Sequence, residues 1–216
     1  MSLIIKEILL VKKFIPIAFL MLVIFPIFLT GQMGNDGSMI IFYLIILVFT
    51  IMLPGTISMY ESKYEKANAY LSITPYSKGQ LVLCKYVFDI IVFVIITLIY
   101  FIETIIMPQY VASVKIIIIA TAFLSMCLLR GFMIPVEFKF GYEKTKYISI
   151  IVVMLIGFGI PLFIKNIGID FINNSFFNFF FSQPPYIFNI LLFTGGIIMS
   201  IISYIISLLI LRNKEL

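Results

Sequence analysis

A chain of 216 residues that is 62% hydrophobic and only 12% charged, with a mean hydropathy of +1.19, cannot bury its apolar surface in a water-soluble core. Soluble domains carry about 25% charge, so lipid must be the solvent for much of this one. The net charge of +5 does not point to nucleic acid, because the basic residues lie between apolar runs, where they set membrane topology.

Taken in order, residues 1–13 mix Leu3, Ile4, Ile5, Leu9 and Leu10 with Lys6, Glu7, Lys12 and Lys13. That pattern predicts an amphipathic helix lying in the headgroup region. No small-x-small cleavage site closes the apolar run 14–30, so it is read as a first span rather than a signal peptide. A second span is predicted at 39–59, interrupted only by Pro54 and Gly55 near its end, and a third at 87–106. The polar stretch 60–80 separates them. A fourth span at 112–134 is followed by a charged loop from Pro135 to Tyr147. Spans at 148–164 and 186–211 complete the set, and the whole chain reads as one transmembrane domain.

Between the last two spans, Phe171, Phe176, Phe177, Phe179, Phe180 and Phe181 are interleaved with Asn and Ser. In water they would form a large exposed apolar patch, so a re-entrant or interfacial segment is expected there. The architecture is thus an all-α integral membrane protein with six transmembrane helices. Thirteen of the 15 Lys and Arg fall on the side of the termini and of the 60–80 loop, and only Lys115 and Lys165 on the other. The positive-inside rule then makes both termini and both charged loops cytoplasmic.

The chemistry available is narrow. With no histidine, most zinc sites, haem ligation and Ser-His or Cys-His catalysis are excluded. Cys84 and Cys127 are too few and too far apart for a disulfide framework, and no metal site is expected. No G-x-x-x-x-G-K-[ST] run occurs, so the chain has no ATPase motif and no catalytic residues are assigned. Two candidate intramembrane ion pairs remain. Lys85 and Asp89 stand one helical turn apart, and Glu103 and Lys115 meet if spans three and four form a hairpin.

The polar stretch has its own order. Tyr60, Tyr64, Ala67 and Leu71 recur at i, i+4, i+7 and i+11, which gives one apolar stripe on a helix. Glu61, Lys63, Glu65 and Lys66 occupy the other faces. Pro75 ends that helix, and Ser77-Lys78-Gly79-Gln80 has the S-x-x-Q form of a capping box that starts span three.

The run from Glu61 to Tyr86, with Leu71, Ser72, Pro75, Ser77, Lys78, Val82 and Lys85, resembles a segment of the small six-span permease subunits of ABC-2 type transporters. The second loop, with Pro135, Phe138, Lys139, Gly141, Tyr142, Glu143 and Lys144, looks like that family's proline…phenylalanine-glycine-tyrosine-glutamate-lysine segment. Ile73-Thr74 before Pro75 and Lys146 depart from the family pattern, where leucine and arginine are more frequent.

The resemblance implies a bacterial cell-membrane permease that pairs with a second, identical or homologous permease and with two copies of an ABC ATPase subunit. ATP and magnesium would be bound by that partner and no cofactor by this chain. Glu61, Lys63, Tyr64, Glu65, Lys66, Tyr70 and Leu71 would form the coupling helix that meets the ATPase. The expected function is export of hydrophobic or amphipathic peptides of the toxin or antimicrobial type, as in exporters of phenol-soluble modulins. The alternatives are a six-span substrate-binding subunit of a vitamin importer and an immunity membrane protein that does not transport.

Overall fold

The computed structural model describes residues 2–33, 38–63, 77–108, 111, 113–154 and 185–213. Its elements are α1 (Ser2–Val11), α2 (Ile15–Met33), α3 (Ser38–Lys63), α4 (Lys78–Ile106), α5 (Ile116–Phe140), α6 (Tyr142–Met154) and α7 (Pro185–Asn213). No strand occurs among the described residues. Helices satisfy their own backbone, which is what a lipid-embedded chain requires. Four of them, Ile41–Ser62, Lys78–Ile106, Ile116–Phe140 and Tyr186–Asn213, are long and apolar enough to cross a membrane. The pair Leu3–Val11 and Ile15–Phe28, bent by 69° at its break, is apolar enough to count as a fifth if it is one broken span. The fifth expected span, 148–164, is described only as far as Met154, within α6, and the phenylalanine-rich segment lies outside the described residues.

α3 forms the centre. Ile41, Phe42, Ile45, Ile46 and Phe49 are all buried, at the i, i+4 spacing of one helical face. Phe42 meets Tyr100 of α4 edge-on at 4.9 Å, and the Tyr43 hydroxyl donates to the Thr121 carbonyl of α5 at 3.0 Å. A ring ladder, Phe93–Phe123 at 5.3 Å and Phe123–Phe193 at 5.4 Å, joins α4, α5 and α7. α5 and α7 make the most extensive helix pair. Gly196 allows it, because a Cβ there would lie 2.9 Å from the Phe123 ring and 3.3 Å from Cys127 Sγ. Close backbone approach at small residues is how helices associate where lipid is as apolar as leucine.

Two element boundaries differ from those read in the sequence. The second span does not end at Met59: α3 passes through Pro54 and continues to Lys63. Likewise Pro135 opens no loop, because α5 runs through it to Phe140. A proline within a helix frees the carbonyl four residues earlier, here that of Gly131. The Ser203 hydroxyl of α7 donates to that carbonyl, so the interruption costs no unpaired backbone group. The break falls instead at Gly141, whose φ of 80° suits glycine, and its N–H caps the Glu137 carbonyl at 2.8 Å. The expected capping box does form. The Ser77 side chain accepts from Gln80 N–H at 3.3 Å, and Gln80 Oε1 accepts from Ser77 N–H at 3.1 Å.

Gly196→Ala forces a methyl against a ring held in the ladder and should destabilise the protein by about 1–3 kcal/mol, as overpacked cores do. Gly195→Ala meets only Leu124 Cδ1, at 3.6 Å, and should be close to neutral. Unfolding of the detergent-solubilised variants checks both.

Candidate functional site

The antiparallel run of α3, α4 and α5 brings the end of α3, the start of α4 and the end of α5 together at one end of the bundle. Lys6 and Glu7 of α1 join them there, as does the last turn of α7, where the Leu211 carbonyl accepts from Lys78 Nζ at 3.1 Å. The N-terminal helix and the end of α7 therefore share this end of the molecule with both edges of the 64–76 connection. Exposed apolar side chains line the outside of the helices away from it, among them Ile201 and Ile205 of α7 and Val94 and Leu98 of α4. The polar groups are gathered inward.

Lys85 is the hub. Its Nζ lies 2.6 Å from Glu137 Oε1 of α5 and 3.4 Å from Glu61 Oε2 of α3. Glu61 Oε1 also takes Lys6 Nζ of α1 at 2.6 Å, and Glu137 Oε1 accepts from the Ser58 hydroxyl at 2.7 Å. The Phe138 ring sits beneath the Lys85 ammonium, 5.3 Å from its centroid. Four helices are thus cross-linked by two lysines and two carboxylates. One turn deeper, Asp89 Oδ2 accepts from Arg130 Nε at 2.7 Å, both side chains being buried. Alongside, Tyr86 bonds the Ser203 and Ser207 hydroxyls and ties α4 to α7.

This arrangement corrects the ion pairs expected from spacing. Lys85 and Asp89 do share a face, but each meets its opposite charge on α5 instead of the other. Cross-helix partners win because an antiparallel neighbour offers Glu137 and Arg130 at matching heights with charge-assisted geometry. Glu103 and Lys115 do not pair either. Lys115 stands at the N-cap position of α5 with its side chain exposed, whereas Glu103 turns inward, only 8% exposed, and neither of its carboxylate oxygens has a hydrogen-bond partner among the described residues.

Of the residues expected to meet an ATPase, Glu61 faces the hub and Lys63 ends α3, while Tyr64, Glu65, Lys66, Tyr70 and Leu71 lie outside the described residues. In the second charged stretch, Gly141 makes the break and Tyr142 lines a cleft of about 230 Å³ beside Glu61, Lys85 and Glu137. Lys139 stands over Phe140 at 5.3 Å, and Glu143 and Lys144 are exposed. Phe171, Phe176, Phe177, Phe179, Phe180 and Phe181 lie outside the described residues. Sequence reasoning missed Glu137 and Ser58 altogether. Arg130 and Glu137 stand seven residues apart on α5, two turns on one face, and that spacing was the available signal.

No metal-binding cluster of three or more His, Cys, Asp or Glu occurs among the described residues. The site is an electrostatic clamp at one end of a multi-pass helical membrane protein. The family model described as ABC-2 family transporter protein matches residues 2–212, and the chain belongs to that family. It is therefore an ABC-2 type permease, a membrane-transport component of the bacterial cell membrane, and membership implies an ATPase partner. No curated protein and no solved structure matches the chain.

Removing the hub cation leaves two carboxylates without compensation in a poorly solvated place. Lys85→Met should destabilise the protein by about 3–5 kcal/mol, and Lys85→Met with Glu137→Leu should regain most of that. Denaturant unfolding in detergent reads both, and a single variant no weaker than the double would contradict the clamp.

Proposed function

We propose that this chain is one of two permease subunits of an ATP-driven exporter of hydrophobic or amphipathic peptides, with six spans and both termini in the cytoplasm. The observation that carries the reading is the position of the hub, directly beside the two edges of the 64–76 connection, in a chain of a transporter family that has no nucleotide-binding motif. In this reading the 60–80 stretch is the coupling helix, and an ATPase closing on ATP pushes it. The push enters the bundle along two routes. Glu61 passes it to Lys85 and Lys6, and the capped start of α4 passes it to α5 and α7. Helices move as rigid units, so the path between two permeases switches its opening from inside to outside.

Glu61 then has a different task from Glu65. It is held by Lys6 and Lys85 and anchors the loop to the bundle. Contact with the ATPase is left to the residues beyond it, Glu65 and Lys66 among them. Purification of the tagged permease from its native membrane should bring an ATPase subunit with it, and Glu65→Lys should weaken that association while the protein still inserts. A detergent extract in which no ATPase subunit follows the chain, or a Glu65→Lys complex as stable as the wild type, would contradict the assignment.

A further inference from the structure

Beside the clamp, a groove of about 640 Å³ opens between α3, α5 and α6. We propose that it seats one helical segment of the transported amphipathic peptide, with Arg130 binding an acidic group on that segment. The inference rests on the exporter reading and names the residues that would hold its substrate.

Three features argue for a helix as the occupant. One wall is a single face of α3, since Val48, Met52, Gly55 and Met59 follow one another at i, i+4, i+7 and i+11. That wall is about 16 Å long at the rise of an α-helix, enough to hold about three turns of a ligand helix. At mid-wall, Gly55 leaves open space, for nothing lies within 4 Å of where its Cβ would stand. Finally, Met52 and Met59 of α3 face Met133 of α5, and flexible thioether side chains accommodate apolar helix faces of varied sequence.

The charge in the groove sets the polar requirement. Arg130 borders it and spends only Nε on Asp89, so neither Nη has a hydrogen-bond partner among the described residues. Asp89 Oδ1 is unpartnered as well, so the buried pair is held by one bond where a guanidinium can make several. Glu137 also borders the groove, but its Oε1 is engaged by Lys85 and Ser58. Lys146 lies at the rim, exposed and without an ion pair among the described residues. The Thr56, Thr145 and Ser149 hydroxyls donate to their own helix backbones or turns, which leaves Arg130, Lys146 and the Tyr142 hydroxyl as donors without a hydrogen bond among the described residues, and only the first two carry charge. A carboxylate carried at the edge of an apolar helix face fits that pattern, since the two Nη groups that Arg130 leaves unused are the kind that bind a carboxylate bidentately.

The test uses the permease–ATPase complex in lipid nanodiscs and a fluorescent amphipathic helical peptide with one glutamate at the edge of its leucine-phenylalanine face. A counterpart carries glutamine there, and empty nanodiscs correct for partition into lipid. Wild type should bind the glutamate peptide at least tenfold more tightly than the glutamine one. Gly55→Phe, whose Cβ meets nothing within 4 Å and whose ring would occupy the groove, should weaken the glutamate peptide at least tenfold, while Ile201→Phe on the exposed face of α7 retains wild-type affinity. Arg130→Lys preserves a charge opposite Asp89 but removes the Nη donors, and should abolish the preference for glutamate. Equal affinity of both peptides for Gly55→Phe and wild type would overturn the groove while leaving the exporter reading intact. So would a cysteine at Met52 that cross-links to a second copy of the chain rather than to the peptide. A complex that binds neither peptide would overturn the exporter reading and the groove together.

Discussion

The structure depends on one ammonium placed between two carboxylates. Without Lys85, Glu61 and Glu137 would face each other across the ends of α3 and α5, and Lys6 would hold α1 to a carboxylate with no anchor of its own. A charge so poorly solvated stays only where it is matched, and here the match is made by residues from four helices. Such a clamp is a weak source of stability relative to well-packed apolar residues, but it fixes which helix ends meet. That is the property needed at the point where a loop enters a bundle.

The same rule governs the rest of the polar inventory. The carbonyl freed by Pro135 is met by Ser203, whose hydroxyl also bonds Tyr86. Asp89 and Arg130 neutralise each other one turn beneath the hub. In lipid a backbone or side-chain group left unpaired costs several kcal/mol, so the polar groups organise the apolar packing around them. Among the described residues Glu103, at the opposite end of α4, is the carboxyl that departs furthest from this rule, buried with neither oxygen hydrogen-bonded, while Asp89 and Asn189 each leave one oxygen unpaired. Clamp and groove share α3 and α5, so a push on the loop that shifts these helices also alters the walls of the groove.

Much of this was legible in the sequence, and what was not has a physical reason. Length and composition gave the helical membrane class, the S-x-x-Q run gave the start of α4, and the two polar stretches carried the resemblance to ABC-2 permeases that the family match bears out. The span end before Pro135 was misplaced, because local proline propensity cannot see a hydroxyl arriving from a distant helix. Ion pairs were misassigned for a related reason. An i, i+4 rule compares neighbours on one helix, whereas Lys85 and Asp89 find Glu137 and Arg130 about 40 to 50 residues away in sequence, at 2.6 and 2.7 Å. Antiparallel register across two spans is a tertiary fact that no single-helix pattern encodes.

The central claim is that the Lys85 clamp carries force from the loop into the bundle. The direct measurement is a double-mutant cycle on Lys85 and Glu137 in the reconstituted permease–ATPase complex, following peptide transported per ATP hydrolysed. Each single variant should hydrolyse ATP yet lose most transport per ATP, and the double variant, though it regains stability, should remain uncoupled because the link is gone. Full transport per ATP in the double variant would contradict the account, since the pair would then serve stability alone.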